Sequence, residues 1–389
     1  MRPAASIGSW CGDWLAFSSM AGVPAAMRDY FSYRLHLVLK RVLMAVLRTA
    51  LRLVVRLRPA SRPASRPAVV TGSVVLLDRC LGLGDVLMIS PALRLLAPLG
   101  PVTVVAALPP LLAWDGEWLR CPDWALMKAE VDRLAGSGRL VLVPRLGVGG
   151  LLALLTWRGG NASGIIGLDS STWLDASGGG GGAIVGRHYT DGAVACARAL
   201  LRLAGKAGAD QAVAITPERI APMVGALPAG VDLPAGSVVA LAPWATSRIR
   251  RWPLAHWSAL ITRLALDRPD LRFVLLGSAE ERRFGEEIAV ASACPLNLMG
   301  RLSLAETTAV IARAAVLVAC DNGLMHIALG TKTPLVALFG STDPGLRLVG
   351  EGSLVGEGWR LAYDPSLCPW GRSPCYPDLH RDPSCPGAV

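Results

Sequence analysis

Val318-Ala319-Cys320-Asp321-Asn322-Gly323-Leu324-Met325-His326 is followed shortly by Pro334-Leu335-Val336-Ala337-Leu338-Phe339-Gly340-Ser341-Thr342-Asp343-Pro344. An apolar run ends in an acid. A Gly-containing turn comes next, then a short segment with a His in its first turn. A second apolar run ends in another Gly/Asp/Pro turn. The order predicts strand, loop, helix, strand, loop, with the polar groups gathered where the strands end. In open parallel α/β sheets, ligands bind just beyond the carboxyl ends of the strands. A helix N-terminus there offers N–H groups and a positive dipole end, which suit a phosphate. An acid at the same place can hold sugar hydroxyls.

The alternation continues outward on both sides. Strands are expected at Val238–Ala242, Phe273–Leu276, near Leu296, at Val316–Ala319 and at Leu335–Phe339. Helices are expected at Ala255–Leu266, Glu280–Ala291 and Leu304–Ala312, with a short one after Gly323. Nearer the N-terminus, a strand at Val74–Leu77 precedes a Gly-rich turn and a helix at Asp85–Leu96. Strands at Val102–Ala106 and Leu140–Val143 and a helix at Asp191–Ala204 complete that half. Alternating strands and helices imply α/β sheets of parallel strands with both faces covered. The expected division is a basic extension and linker at 1–70 and a Rossmann-like unit at 71–205. A crossing at 206–236, a second Rossmann-like unit at 237–365 and a Cys/Pro-rich tail at 366–389 follow. The five glycines from Gly178 to Gly182 read as a flexible surface loop.

Three further segments matter. They are Gly82-Leu83-Gly84-Asp85-Val86-Leu87-Met88-Ile89-Ser90-Pro91-Ala92-Leu93, Ala242-Pro243-Trp244-Ala245-Thr246-Ser247-Arg248-Ile249-Arg250-Arg251-Trp252-Pro253, and Leu275-Leu276-Gly277-Ser278-Ala279-Glu280-Glu281. With the opening stretch, these four ordered segments resemble the signature of glycosyltransferase family 9, the lipopolysaccharide heptosyltransferase family. The resemblance spans roughly residues 74 to 345. It implies a GT-B fold, two Rossmann-like sheets facing across a cleft. It also implies an inverting transferase that uses a nucleotide sugar, ADP-heptose, as co-substrate with no cofactor, and a lipid-linked saccharide acceptor of the lipopolysaccharide core. The family ends in a helix folded back on the N-terminal unit. The Pro-, Cys- and Gly-rich tail after Leu361 shows no such helix.

Inverting glycosyl transfer needs a base at the acceptor hydroxyl and positive charge at the departing diphosphate. Asp85, in the acceptor-side turn with Gly82 and Gly84, is the base candidate. It also fits a helix N-cap, and the two roles are compatible. The chain has no Asp-x-Asp, so a metal-free mechanism is preferred and no metal ligand is assigned. Arg250 stands where the family has Lys, two residues before Trp252-Pro253, and its fork suits phosphate. Thr246 and Ser247 offer hydroxyl and N–H contacts. Asp321 is assigned to the donor's sugar hydroxyls, with Asn322 and Leu324 in the same donor turn. Gly323 permits close backbone approach to the pyrophosphate. His326 reads either as a phosphate contact or as a structural hydrogen-bonder. Glu280 reads either as a ribose holder or as a first-turn helix acid.

The net charge of +10 is concentrated near the N-terminus. Residues 1–70 hold 11 Arg/Lys against Asp13 and Asp29, leaving the remainder at +1. A nucleic-acid surface on the main body is therefore not expected. Residues 33–58 contain no Gly or Pro, and Arg34, Arg41 and Arg48 recur on one face. This predicts a basic amphipathic helix lying on an anionic membrane surface. No uncharged run there approaches the ~20 residues of a membrane span. The alternative is a helix packed on the protein itself. The membrane reading puts the protein in the cytoplasm, peripheral to the inner face of the cell membrane, with the extension outside both cores. The nine cysteines, mostly in apolar runs, suit a reducing compartment. Cys368, Cys375 and Cys385 with His380 match no standard zinc spacing. A different donor sugar, nucleotide-sugar epimerisation and a non-catalytic membrane-associated binding module are the competing functions. Asp85, Arg250 and Asp321 argue against the last.

Overall fold

The architecture comes from a computed structural model, which describes most of residues 42–54, 69–155, 164–206 and 224–348, together with 359–362. Two sheets result. The first has the order β3-β2-β1-β4-β5-β6-β7. Its strands are β1 (Gly72–Leu76), β2 (Val102–Ala106), β3 (Glu117–Arg120), β4 (Arg139–Val143), β5 (Gly164–Gly167), β6 (Thr172–Asp175) and β7 (Gly182–Ala183). β1 to β5 pair in parallel, and at one edge β6 runs against them, pairing antiparallel with both β5 and β7. The second sheet is wholly parallel in the order β10-β9-β8-β11-β12-β13. It comprises β8 (Val238–Ala242), β9 (Arg272–Leu275), β10 (Leu296–Asn297), β11 (Val316–Cys320), β12 (Leu335–Leu338) and β13 (Trp359–Ala362).

The central strands are near-continuous apolar runs because helices cover both faces. All five residues of β1 and all five of β8 are buried. The strand order reverses between β1 and β4 in one sheet and between β8 and β11 in the other. At such a reversal the neighbouring loops splay apart and leave a crevice beyond the carboxyl ends. Helix α2 (Leu83–Leu95) follows β1, and helix α9 (Gly323–Thr331) follows β11, so both begin at these crevices. A continuous apolar cluster runs from Val75, Leu87 and Leu93 through Leu200 to Val238, Val310 and Ile327, joining the two halves.

Several elements were not anticipated. Helix α3 (Trp124–Gly136) is capped by Asp123, whose carboxylate accepts from Leu126 N–H at 2.9 Å. β3 is an edge strand, exposed at both ends and half-buried between them, and β13 is only four residues long. Helix α4 (Val148–Leu155) opens on Gly149-Gly150, a poor helix signal.

The N-terminal helix corrects one expectation. Residues 42–54 are helical, and the rest of the expected 33–58 span, apart from Leu39, lies outside the described residues. Within this helix, α1, Leu47 is 7% exposed and Leu51 1%. Both join Val74, Leu76, Met127 and Val141 in a cluster on the first sheet, with Met44 alongside. The extension therefore contributes to a core instead of lying outside both. Its amphipathic pattern conceals two apolar stripes. Leu39, Val42, Leu43, Val46 and Leu53 form the second, each about half exposed. Among the described residues no helix is long and apolar enough to cross a membrane. The linker at 59–67, the glycines before Gly182, most of the crossing and the C-terminal tail with its three cysteines lie outside the described residues.

Candidate active site

A cavity of about 470 Å³ lies between the carboxyl ends of the two sheets. Gly82, Leu83, Gly84 and Asp85 line it from the first sheet. Trp244, Thr246, Arg250, Glu281, Asp321, Gly323, His326 and Arg347 are among the lining residues of the second. The two helix N-termini meet there through glycines. A Cβ placed on Gly84 would lie 2.6 Å from His326 Cδ2 and 3.0 Å from its Nε2. A Cβ on Gly323 would lie 2.8 Å from Leu83 Cβ. Neither position has room for a side chain, so bare backbone sets the separation of α2 from α9.

Asp85 sits in the first turn of α2. Its Oδ2 accepts from Gly82 N–H at 3.0 Å, which satisfies one helix-start donor. Its Oδ1 lies 3.3 Å from Arg145 Nη1 and 3.4 Å from Arg347 Nη1. Its side chain is 21% exposed. Capping and access to the cavity thus coexist in one carboxylate. Arg145 follows β4, and Arg347 follows a 3-10 turn at Pro344–Leu346, so the two guanidinium groups come from opposite sides of the cleft. Neither was singled out in the sequence. The strand-end rule that found Asp321 would have found Arg145, two residues past β4.

On the other side, Asn322 caps α9. Its Oδ1 accepts from Leu324 N–H at 2.9 Å and Met325 N–H at 3.3 Å. Its Nδ2 donates to Ala242 O at 3.0 Å and Trp244 O at 2.8 Å. Both amide protons are committed, so the Asn322 side chain brackets β8 to α9, and the residue also lines the cavity. The same capping occupies the N–H groups of Leu324 and Met325. The helix start therefore offers a phosphate fewer donors than its position suggests, and Leu324 contributes by lining the cavity.

Asp321 is 2% exposed. Its Oδ2 accepts from the Thr342 hydroxyl at 2.9 Å and lies 3.6 Å from Arg250 Nη1. Arg250 Nη1 also donates to the Asp321 backbone oxygen at 3.0 Å. The carboxylate assigned to sugar hydroxyls thus faces inward onto protein donors. Arg250 lines the cavity, whereas Arg251 stacks on Trp244, its guanidinium carbon 3.3 Å from the ring centre. Arg251 also donates to Ala245 O at 2.6 Å, which folds its own loop. Thr246 is exposed and lines the cavity; Ser247 lies outside the described residues.

Glu281, not Glu280, is the acid on the cavity wall. Ser278 N–H donates to Glu281 Oε2 at 2.9 Å. Burial pushes the Glu281 carboxyl above its ordinary range, partly opposed by that hydrogen bond. Glu280 instead is held below the ordinary range through the Ser278 hydroxyl, as a helix-start acid is. A strand-end Glu-Glu pair gives no sequence clue to which acid turns inward. His326 is 2% exposed, its ring against Gly84. Among the described residues no three His, Cys, Asp or Glu side chains converge as metal ligands.

Residues 221–348 match the profile of Glycosyltransferase family 9 (heptosyltransferase). The lipooligosaccharide heptosyltransferase 2 of Haemophilus influenzae is 38% identical over 100 residues, covering 24% of this chain and 28% of that protein. The lipopolysaccharide heptosyltransferase 1 of Pseudomonas aeruginosa is 35% identical over 102 residues, covering 26% and 27%. The matched segment thus spans little more than a quarter of these curated relatives. The solved structure of Escherichia coli ADP-heptose lipopolysaccharide heptosyltransferase II overlays with a TM-score of 0.48 at 21% identity, covering 74% of this chain and 92% of that one.

Proposed function

By its residues 221–348 the chain belongs to glycosyltransferase family 9, and from that premise we propose that it is an inverting, metal-independent heptosyltransferase. Its donor is ADP-heptose and its acceptor a lipid-linked saccharide of the lipopolysaccharide core. One observation carries the reading. A carboxylate, Asp85, and a cation, Arg250, line one cavity from opposite sheets.

In the reaction the acceptor hydroxyl replaces one arginine at Asp85 Oδ1 and passes its proton to the carboxylate. The acceptor oxygen bonds the anomeric carbon on the face opposite the nucleotide. The carbon–oxygen bond to the diphosphate breaks, and its electron pair leaves with that group. Arg250 and the Gly323 N–H meet the charge that develops there. Glu281 replaces Glu280 as the acid placed to accept from the ribose hydroxyls.

The exposed stripe of α1 supports a further part of the reading. Leu39, Val42, Val46 and Leu53 face outward while Leu47 and Leu51 anchor the helix. With the positive charge of residues 1–70, that stripe suits shallow docking on an anionic bilayer, the place of a lipid-linked acceptor. The protein is then peripheral at the inner face of the cell membrane.

The test is calorimetric titration of the full chain with ADP-heptose, UDP- and GDP-sugars, followed by transfer assays with and without EDTA. ADP-heptose should bind best, and turnover should survive EDTA. Preference for another nucleotide would replace the donor. Loss of turnover in EDTA with rescue by a divalent cation would refute the metal-free mechanism.

A further inference from the structure

Asp78, two residues past β1, is a carboxylate 4% exposed that does not line the cavity. Its Oδ2 accepts from Gly147 N–H at 2.8 Å. Gly147 precedes α4, and its carbonyl accepts from Leu151 N–H at 3.0 Å, the first bond of that helix. The fit is tight. A Cβ on Gly150 would run into Asp78 Oδ2 and lie 2.7 Å from Leu146 Cδ2. Bare backbone therefore lets the start of α4 close over the carboxylate. The backbone oxygen of Asp78 accepts from Leu81 N–H at 3.1 Å and opens the turn that leads into Gly82 and Asp85. One residue thus joins two segments. Its main chain holds the turn that carries Asp85, and its side chain holds the loop that carries Arg145, two residues before Gly147.

We infer that Asp78 is a positioning residue for the base: by holding Gly147 it sets Arg145 against Asp85 Oδ1. This rests on reading Asp85 as the base of glycosyl transfer. Gly82 N–H holds Asp85 Oδ2, so the aim of Oδ1 depends on the cations beside it, Arg145 at 3.3 Å and Arg347 at 3.4 Å. Arg347 belongs to the other half of the molecule. Arg145 belongs to the same sheet as Asp85, past the end of β4, which pairs with β1. Its side chain is 35% exposed, and a long side chain that open holds one geometry only at a cost in rotamer freedom. A fixed backbone reduces that cost. Leu146, 3% exposed, packs the loop into the cluster on the first sheet, and the Asp78 bond adds a polar anchor one residue on. Burying a carboxylate is costly, and the N–H and positive dipole end at the start of α4 compensate it. Without Asp78 the segment 144–147 loses its tie to the end of β1, and Arg145 moves off Asp85.

The experiment assays the full chain for transfer from ADP-heptose to a deacylated lipopolysaccharide core saccharide. Beside it stand ADP affinity by calorimetry, a thermal melt and exchange of the Gly82 amide proton, which Asp85 Oδ2 holds. Asp78→Ala and Arg145→Met should each lower kcat about 10-fold, leave ADP affinity unchanged and speed Gly82 exchange. The double variant should be no worse than Arg145→Met alone, because Asp78 acts through Arg145. Asp78→Asn keeps an oxygen for Gly147 N–H and should recover most of the lost kcat. A cap that only holds α4 together would lower the melting temperature and leave kcat and Gly82 exchange as they were. That result overturns the inference, and so do additive losses in the double variant. Should Asp78→Ala not fold, Asp78→Leu, which fills the same space with no acceptor, decides by the same criterion. Wild-type turnover in Asp85→Asn refutes the base reading. Faster Gly82 exchange in Asp78→Ala would then still show that Asp78 places the Asp85 carboxylate, and unchanged exchange would overturn both.

Discussion

Gly84→Ala should separate stability from turnover. The new methyl would lie 2.6 Å from His326 Cδ2, where carbon atoms rest at about 3.5–4.0 Å. The shortfall is about 1 Å. His326 is 2% exposed and has little room to retreat, so α2 and α9 must move apart by most of that distance. Overpacking of this kind costs about 1–3 kcal/mol. Replacing a helical glycine by alanine returns about 0.5–1 kcal/mol, so the melting temperature should fall by only a few degrees. The functional loss should be far larger. Asp85 rides on α2, and Arg250 is fixed to the strand end before α9, so the shift falls on the gap between base and diphosphate. A misplacement of ~1 Å costs about 10²-fold in rate. The assay is kcat with ADP-heptose beside ADP affinity by calorimetry and a thermal melt. The expected result is a kcat about 100-fold down, near-normal ADP binding and a small melting shift. In a His326→Ala background the same substitution should cost little, since the obstructing ring is gone. Retention of more than about a third of wild-type kcat by Gly84→Ala would refute the reasoning.

Asp85→Asn should keep donor affinity and lose roughly 10²–10⁴ in rate, measured by single-turnover transfer; near-normal turnover would remove Asp85 as the base. Glu281→Gln should weaken ADP binding while Glu280→Gln leaves it unchanged, and calorimetry reversing that order would return the role to Glu280. Leu51→Ala should cost about 2–5 kcal/mol, seen as a clear drop in melting temperature, against under about 0.5 kcal/mol for Val46→Ala. Equal melts for the two would mean α1 does not pack on the first sheet. By the same argument, a chain beginning at Val69 should be destabilised, because Leu47 and Leu51 leave the core with it.

Much of the fold was legible because the central strands are apolar runs with sharp ends. The expected bounds of β2 and β8 are those observed, and both strands are buried at every residue. What escaped was short or at an edge. β3 carries Glu117 and Arg120, and β13 carries Arg360, so neither gives a continuous apolar signal. At the site, the strand-end rule located Asp85, Arg250 and Asp321 in sequence, and the structure brings all three to one cavity. It did not reveal which way each side chain turns. Asp321 and Asn322 look like ligand residues because they are polar, in a loop and beside a glycine. Hydrogen bonds to residues about 70 to 80 positions away in the chain also hold both of them in place, which the sequence did not show. The same limit applied to α1. Periodicity showed that it has an apolar face, but not that it has two or that the first sheet covers one.

The strand-end staple bears on how such an enzyme changes its donor. The side chains of Cys320, Asp321 and Asn322 hold the loop that carries Arg250, so replacing any of them unsettles that loop. Thr246 lines the cavity from an exposed position. A library aimed at a new nucleotide or sugar is best confined to such positions, where variants can be screened without first being rescued for folding.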